Sequence, residues 1–446
     1  MRAVKQSEKS FHNNNSNLSS SEYCYKRENA LFLVKFSLLT SYIMPEKKKI
    51  KIGLLLQIVF AIALGIGCGY IFPEWLGRIF MTFNGLFSQF LGFLVPLIIV
   101  GFVTPAIADI GRKAGKVLVV TAAIAYGATI FAGFLSYFTS ATTFPHLINP
   151  SPIDSGLKNA ADLLPYFTVE IPPLMGVMTG LVISFMLGVG IAYLEGNTLR
   201  KCANEFRDIV AKVIKSIIIP LLPLYIFGIF LNMTVSGQVG DILATFFKVI
   251  LVIFAMHIFI LVLQYCVAAL VVRRNPFKLL VTMLPAYFTA LGTQSSAATI
   301  PVTLRQAIKM GVSEDIAGFV IPICATIHMS GSTLKIVSCA VALMIMNGLP
   351  YDFPMFVGFI CMLGVTIIAA PGIPGGSIMA SLGLLASMLG FTEKDQALMI
   401  ALYIAMDSFG TACNVTGDGF IALIVDKLFG KRNRHEASDD AAILEK

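Results

Sequence analysis

Long apolar segments follow one another from residue 50 to residue 429, and they restrict what this chain can fold into. A helix needs about 20 apolar residues to cross the hydrocarbon core of a bilayer. Six segments of the first half approach or exceed that length, at residues 50–72, 79–110, 115–140, 173–194, 209–235 and 240–272. The chain is therefore predicted to be an all-α polytopic membrane protein.

Composition and charge support this prediction. Of the 446 residues, 57% are apolar and 13% are charged, whereas soluble domains average about 25% charged residues. The net charge of +8 does not indicate a nucleic-acid partner, because the basic residues form short clusters between apolar segments. The eight cysteines show no metal-binding spacing. No cofactor and no structural metal are expected.

Basic clusters set the expected orientation, because cytoplasmic loops of membrane proteins are enriched in Lys and Arg. Such clusters stand before the first segment at 47–51, after the second at 112–116 and after the fourth at 200–215. The 200–215 cluster is expected in a cytoplasmic loop, whereas the more acidic loop at 141–172 is predicted to lie outside. With a last basic cluster at 427–434, both termini are expected in the cytoplasm.

Four further apolar segments, rich in Ser, Thr, Gly and Pro, follow at residues 276–310, 313–346, 355–391 and 395–429. The first of them has basic residues at both ends, so a single crossing would place one basic cluster outside. It is predicted to be a hairpin that enters and leaves from the cytoplasmic side, with its tip at 293–297.

The segment 355–391 has no basic excess at either end and is predicted to be a second hairpin, entering from outside, with its tip at 371–376. Non-helical backbone is tolerated at membrane depth only where it is buried in protein or lines a cavity. The second half is thus expected to contain two inverted units, each a hairpin followed by a helix. Gly/Pro-interrupted inverted repeats of this kind indicate the substrate site of a secondary transporter.

Four polar residues share one face of the last predicted helix. Asp407, Thr411, Asn414 and Asp418 follow one another at spacings of four, three and four, which stacks side chains on one side of a helix. A carboxylate inside a membrane is costly unless a cation or hydrogen-bond donors compensate it, so this face is predicted to bind ligands. Oxygen ligands suit a hard cation, and a carboxylate suits an ammonium group. A structural polar network is the alternative.

The preceding helix carries a second polar group. His328, Ser332 and Lys335 recur on one face, and the run 328–332 is polar and contains Gly331. This run is predicted to unwind and to present carbonyl groups to an ion. A lysine at mid-membrane is expected to pair with a carboxylate or to line water, with snorkelling to an interface as the alternative. For His328 a structural hydrogen bond and a role as ligand or proton carrier are both open.

Four motifs of this region together resemble one known family. They are QSSAATIPVT at 294–303, ATIHMSGS at 325–332, GIPGG at 372–376 and DSFGTACNVTGD at 407–418. Their sequences and their order resemble the dicarboxylate/amino acid:cation symporters, the glutamate transporter family. The resemblance extends over residues 44–430.

The resemblance implies eight transmembrane helices plus two inverted re-entrant hairpins, a homotrimer in the plasma (inner) membrane, and an elevator-type transport cycle driven by a Na⁺ gradient. It places the scaffold, the trimer contacts and the first six helices in 44–272, and the transport core in 273–430. A cytoplasmic tail is expected at 431–446. Residues 1–43 are expected to be a disordered or non-native extension, with Met44 as the natural start.

Carried over position by position, the resemblance also implies roles for single residues. Asp407 matches the aspartate that holds the substrate's amino group, and Thr411 and Asn414 match substrate-contacting positions. Asn414 and Asp418 match a sodium site that is completed by backbone carbonyls near His328. The other implied substrate-binding positions are Ser295, Ser296, Ser332, Ile373, Pro374, Gly375, Gly376 and Gly410.

Two departures from the family's pattern bear on the substrate. Members that carry acidic substrates have an arginine three residues after the amino-group aspartate, where this chain has Gly410, and no arginine stands on the first hairpin tip, where it has Gln294. Without a guanidinium, a second substrate carboxylate would be buried unpaired. A neutral amino acid such as serine, threonine, alanine or cystine is therefore favoured. An acidic amino acid or a C4-dicarboxylate is the alternative, because Lys335 could reach an acidic group.

Other departures bear on the coupling ion. The buried aspartate of the family's Asn-Met-Asp-Gly-Thr motif is Ser330 here, and residues 121–125 lack the Tyr and Thr-Ser pair of a deeper cation site. Fewer coupled Na⁺ ions are expected, with Lys335 and Ser330 as coupling residues. Because histidine titrates near neutral pH, coupling to H⁺ through His328 is the alternative.

Proteins of other classes fit these residues less well. Asp407 and Asp418 could serve an intramembrane aspartyl protease, but the helix between them would separate the two by about 16 Å, too far to share one water. A channel that uses both hairpins is a further alternative. The sequence contains no P-loop motif that would indicate ATP-driven transport. An enzymatic function is not expected.

Overall fold

The computed structural model describes residues 53–111, 116–148, 163–368, 370 and 374–444, and within these ranges the regular structure is helical. The N-terminal extension predicted at 1–43 and the tip residue Ile373 lie outside the described residues.

The described part of the first half contains the helices α1 (Leu54–Gly69), α2 (Glu74–Gly111), α3 (Lys116–Leu147), α4 (Val177–Tyr193), α5 (Thr198–Val213), α6 (Ile219–Val235) and α7 (Val239–Val272). Each of the six predicted spans lies on one or more of these helices, although several bounds differ by a few residues.

Helix α5 corrects one sequence interpretation. Most of the basic cluster at 200–215, which we expected in a loop, lies on α5, and a π-helical turn at Ile214–Ile218 joins α5 directly to α6. Val210 is the buried residue of α5, and Lys201 and Lys212 are exposed, whereas Arg200 donates a 2.9 Å hydrogen bond to the Ala108 carbonyl. Lys, Arg, Glu and Ala have high helix propensity, which explains why a polar segment stays helical here.

The second half contains α8 (Pro276–Thr293), α9 (Ser296–Lys309), α10 (Glu314–Ile327), α11 (Ser330–Met346), α12 (Phe353–Ile368), α13 (Gly376–Leu389), α14 (Glu393–Ala405) and α15 (Asp407–Leu444). Each of the four predicted segments is therefore a pair of helices with a break between them. Helix α15 continues through the tail expected at 431–446 as far as Leu444.

Local sequence explains the break at the first predicted tip. Gln294 ends α8 in the left-handed conformation, at φ 53°. The Ser295 hydroxyl then accepts a hydrogen bond from the Ala298 backbone N–H, 3.3 Å away, and caps α9. Capping of this kind satisfies one of the N–H groups that a helix start leaves without a partner. The chain thus reverses at 294–295, within the tip that the sequence predicts.

Within the described ranges, six helical stretches are long and apolar enough to cross a membrane: Glu74–Ala108, Lys116–Leu147, Thr198–Val235, Ile242–Val272, Glu314–Met346 and Asp407–Gly430. Four apolar helices are shorter, namely α1, α4, α12 and α13. The most apolar part of Glu314–Met346 is 100% buried, against 28% for Lys116–Leu147. Every residue of α11 is buried, whereas Glu314, Asp315 and Phe319 of α10 are exposed. Helix α11 therefore lies in the interior of the protein.

Small residues allow α11 and α15 to approach closely. A Cβ added at Gly331 would lie 2.6 Å from the Gly410 carbonyl oxygen, a distance that only glycine allows. On its other side α11 contacts α3 through hydroxyl groups, because Ser136 Oγ lies 2.8 Å from the Leu334 carbonyl and 2.7 Å from Ser338 Oγ. Small and hydroxylated residues are typical of contacts between membrane helices.

Candidate functional site

The candidate site lies where three helix breaks meet. The tip at 374–375 contacts Asp407, which is the first residue of α15. The other two breaks lie between α10 and α11 and between α14 and α15. Asn414 accepts a hydrogen bond from Gly331 at the first of these, and Lys335 contacts the Met406 carbonyl at the second. Breaks in membrane helices leave backbone polar groups free for ligands.

Both oxygens of the Asp407 carboxylate have partners. Its Oδ1 lies 3.2 Å from Lys335 Nζ, and its Oδ2 accepts a 2.8 Å hydrogen bond from the Gly375 backbone N–H. Gly375 is the N-cap of α13 and has φ 74°, a left-handed conformation that suits glycine. One carboxylate therefore joins the second tip to the lysine of α11.

Lys335 is buried and paired. Its side chain is 0% exposed, and Nζ lies 3.4 Å from the Met406 carbonyl and 3.7 Å from the centre of the Tyr403 ring. Helical side chains lean toward the N-terminus of their helix, so a lysine in the second turn of α11 reaches the break at Met406. Of the alternatives from the sequence, pairing with a carboxylate is the one confirmed, and snorkelling to an interface is wrong.

Gly410 leaves the space that Lys335 fills. A Cβ at position 410 would lie 2.5 Å from Lys335 Nζ and closer still to Cε. Any side chain at this position would displace the lysine from its present place. The glycine at 410 and the lysine at 335 therefore depend on each other.

Asn414 connects α15 to the start of α11. Its Oδ1 accepts a 2.7 Å hydrogen bond from the Gly331 N–H, and its Nδ2 donates to Ser332 Oγ at 3.0 Å. The Tyr403 hydroxyl donates to the same Ser332 oxygen at 3.1 Å. Ser332 is 2% exposed, so this network lies in the interior beside the Lys335–Asp407 pair.

His328 bridges two oxygens that the sequence assigns to a sodium site. Its Nδ1 lies 3.1 Å from the Asn414 carbonyl oxygen and 3.1 Å from Asp418 Oδ1. Both neighbours are acceptors, so Nδ1 carries the hydrogen and donates it. Among the described residues, His328 Nε2 has no hydrogen-bond partner. The ring itself thus stands between the two oxygens, where carbonyl groups near His328 were expected to complete the site.

The first hairpin tip contacts the start of α15. Gln294 Nε2 donates a 2.8 Å hydrogen bond to Ser408 Oγ, next to Asp407. Ser296 is 8% exposed in the first turn of α9, and Thr411 is 8% exposed one turn after Asp407. Both tips therefore reach the N-terminal turn of α15.

Ser330, predicted as a coupling residue, accepts a 3.3 Å hydrogen bond from Gln264 Nε2 of α7. Pro374 and Gly376 flank Gly375 at the second tip. The structure thus places every predicted site residue that it describes at the two tips, along α15, in the break between α10 and α11 or in the first two turns of α11. Ser295 serves there as a helix cap.

Several residues of the site escaped the sequence interpretation. Tyr403 and Gln264 contact the predicted residues Ser332 and Ser330. Ser408 accepts a hydrogen bond from Gln294 at the first tip, and His257 Nε2 lies 3.2 Å from the Gly331 carbonyl. Tyr403 lies four residues before Asp407, a spacing that could have indicated a shared face. The α7 residues could not be found this way, because only the tertiary fold brings α7 to the site.

Long buried helices that are broken around paired charges define a multi-pass membrane transporter. The chain belongs to the sodium:dicarboxylate symporter family, whose model matches residues 54–428. This confirms the resemblance seen in the motifs. Because the family consists of transporters, it also confirms that the protein is not an enzyme.

One relative is excitatory amino acid transporter 1 of Bos taurus, to which the chain is 29% identical over 295 residues. The aligned region covers 63% of this chain and 53% of the relative. The chain thus matches about half the length of that curated relative.

Proposed function

We propose that the protein is a secondary active symporter that imports a neutral amino acid on a Na⁺ gradient. The observation that carries the proposal is the Asp407 carboxylate, which is buried at the start of α15 and is contacted by the tip residue Gly375 at 2.8 Å. A buried carboxylate under a hairpin tip suits the ammonium group of an amino acid. The relative's printed name supports an amino-acid substrate. The family's description supports a sodium-coupled symporter, and the dicarboxylates that it names belong to the alternative below.

Gly410 and Lys335 favour a neutral amino acid. The site's buried lysine already balances Asp407 at 3.2 Å, so a second carboxylate on the substrate would lack its own cation. The alternative is an acidic amino acid or a C4-dicarboxylate, with H⁺ as the coupling ion. It is favoured by the same lysine, which would be available to an acidic group after leaving Asp407.

The Na⁺ ion would bind at Asp418 and at the Asn414 carbonyl. These oxygens are of the type that hard cations prefer. In the described structure the His328 N–H lies between them at 3.1 Å from each, so Na⁺ would have to replace that N–H. Binding of the ion and movement of the ring are then linked, which is one way to couple an ion to a change of conformation.

The transport cycle would follow the elevator pattern. Residues 44–272 would form the scaffold of a homotrimer in the plasma membrane, and 273–430 would form the moving core, with both termini in the cytoplasm. The burial of α11 and of most of Asp407–Gly430 on α15, together with the small residues between these two helices, supports one rigid core. Inverted units with broken helices support access to the site from alternate sides.

Binding is the direct test of this proposal. The purified protein is heated in detergent with each of the neutral amino acids, L-aspartate, L-glutamate and succinate, with and without Na⁺. A ligand that binds the folded state raises the unfolding temperature by mass action. We expect neutral amino acids to do so only with Na⁺, and the same compounds to be taken up by proteoliposomes when a Na⁺ gradient points inward.

Variants identify the site in the same assays. Asp407→Asn should abolish the Na⁺-dependent shift, whereas Asp315→Asn, at an exposed carboxylate in the first turn of α10, should keep it. Stabilisation by L-aspartate or succinate alone would support the alternative substrate. Uptake driven by a pH gradient without Na⁺ would contradict sodium coupling.

A further inference from the structure

Asp407 and Lys335 are each satisfied by the protein itself. The ammonium of Lys335 lies 3.2 Å from Asp407 Oδ1 and 3.7 Å from the centre of the Tyr403 ring, and it is fully buried. The carboxylate of Asp407 is 6% exposed. Both oxygens of this carboxylate have a partner, so a substrate ammonium that binds Asp407 competes with Lys335.

The lysine has room only because residue 410 has no side chain. A Cβ at Gly410 would lie 2.5 Å from Nζ. A flexible chain of four methylenes can leave and re-enter such a space, whereas a fixed guanidinium fork is less mobile. The site therefore contains a mobile cation in direct competition with the group that the substrate is proposed to present.

We propose that Lys335 is a substrate-binding residue that selects zwitterions by exchange of ion pairs. The substrate's ammonium replaces Lys335 on Asp407, and Lys335 moves onto the substrate's carboxylate. No covalent bond changes, and the charges balance before and after the exchange. The inference rests on the proposed function, because it assigns Asp407 to the substrate's amino group.

The exchange excludes compounds that carry a single charge. An amine without a carboxylate would displace Lys335 and leave its ammonium buried and unpaired, which is costly. A carboxylate without an ammonium cannot free Lys335, because Asp407 would then lose its own partner. Only a compound with both groups forms two ion pairs in place of one.

The test uses the purified protein in detergent with Na⁺ and three sets of compounds. They are L-serine with ethanolamine and 3-hydroxypropionate, L-alanine with ethylamine and propionate, and L-threonine with 1-amino-2-propanol and 3-hydroxybutyrate. Calorimetric titration gives the Kd for the amino acid that binds tightest and for its two analogues. The readout is the ratio of the amine's Kd to the amino acid's Kd.

The test variants are Lys335→Met and Gly410→Ala, and the matched controls are Lys309→Met at an exposed lysine and Gly318→Ala, where an added Cβ meets no atom within 4 Å. Wild type and controls should bind the amino acid at least about tenfold more tightly than either analogue, as expected for one charge-assisted contact. Lys335→Met should lower the ratio about tenfold, because binding of the amine then leaves no buried ammonium without a partner. Gly410→Ala pushes the lysine aside, keeps both charges and should lower the ratio as well.

The ratio of the two Kd values distinguishes selection by Lys335 from a merely structural role, because a structural role would weaken the binding of all ligands together. An unchanged ratio in both Lys335→Met and Gly410→Ala overturns the exchange while leaving the proposed function intact. A wild type that binds the amine as tightly as the amino acid overturns it equally. If none of the three amino acids binds to wild type, the proposed function fails and the exchange fails with it. If Lys335→Met does not fold, Gly410→Ala decides the outcome.

Discussion

The imidazole of His328 lies against the backbone of Gly417, and its Nδ1 is 3.1 Å from Asp418 Oδ1. A Cβ at position 417 would overlap Cε1 of the ring. Gly417 thus leaves space for the His328 ring, as Gly410 leaves space for the Lys335 side chain. Two glycines, seven residues apart on α15, each leave room for one polar side chain from the neighbouring helix pair.

Gly417→Ala should move the ring away from Asp418. We expect the unfolding free energy to fall by about 1–3 kcal/mol, as is typical for overpacking a buried contact, and Na⁺-driven uptake to fall with it. The measurements are denaturant titration in detergent and uptake into proteoliposomes. Gly318→Ala is the control, because that glycine lies at an open position. Wild-type stability and uptake in Gly417→Ala would contradict the contact.

Asp418→Asn should weaken binding of the coupling ion more than binding of the substrate. The amide keeps an oxygen near His328 but loses the negative charge that favours a cation. The Na⁺ concentration for half-maximal stabilisation by a neutral amino acid should rise about tenfold or more, which corresponds to one charge-assisted contact. Asp315→Asn should leave this concentration unchanged. An unaltered Na⁺ dependence in Asp418→Asn would remove Asp418 from the proposed ion site.

The buried ion pair should show strong energetic coupling. Removing one partner of such a pair costs about 3–5 kcal/mol, because the other charge is left buried and unpaired. Lys335→Met and Asp407→Asn should each destabilise the protein by that amount, and the double variant should recover more than half of the combined loss. A double-mutant cycle of unfolding free energies in detergent measures the coupling. Additive losses would show that the two side chains do not stabilise one another.

Much of this architecture can be predicted from spacing and charge. The polar face of α15 follows from residues 407, 411, 414 and 418, because a helical repeat places them together whatever the surroundings. The tip at 294–295 follows from a polar run between basic ends. Breaks between helices depend on local sequence, and the local sequence therefore predicts them.

Contacts between distant segments could not be predicted in the same way. The spacing of Tyr403 from Asp407 does not indicate that its ring lies 3.7 Å from the Lys335 ammonium, because α14 and α11 meet only through the packing of the whole second half. The His328 ring was expected beside an ion site, and its place between the Asn414 carbonyl and Asp418 depends on the space left by Gly417. Vacant volume is a property of the folded chain, and a single sequence does not display it.

The ring and the hydroxyl of Tyr403 should each contribute separately to the unfolding free energy. Tyr403→Phe removes the hydrogen bond to Ser332 Oγ and keeps the aromatic face beside Lys335. We expect a loss of about 1 kcal/mol of unfolding free energy, the usual net value of one buried hydrogen bond. Tyr403→Leu also removes the face and should cost about 1–2 kcal/mol more, since a desolvated cation–π contact is lost together with aromatic packing.

Tyr193→Phe and Tyr193→Leu are the matched controls, because Tyr193 is 76% exposed at the end of α4. Their unfolding free energies should stay within about 0.5 kcal/mol of wild type, as surface substitutions usually do. The same denaturant titration compares all four variants. If Tyr403→Leu is no less stable than Tyr403→Phe, the ring does not stabilise the buried ammonium, and the Lys335 charge is held by Asp407 and the Met406 carbonyl alone.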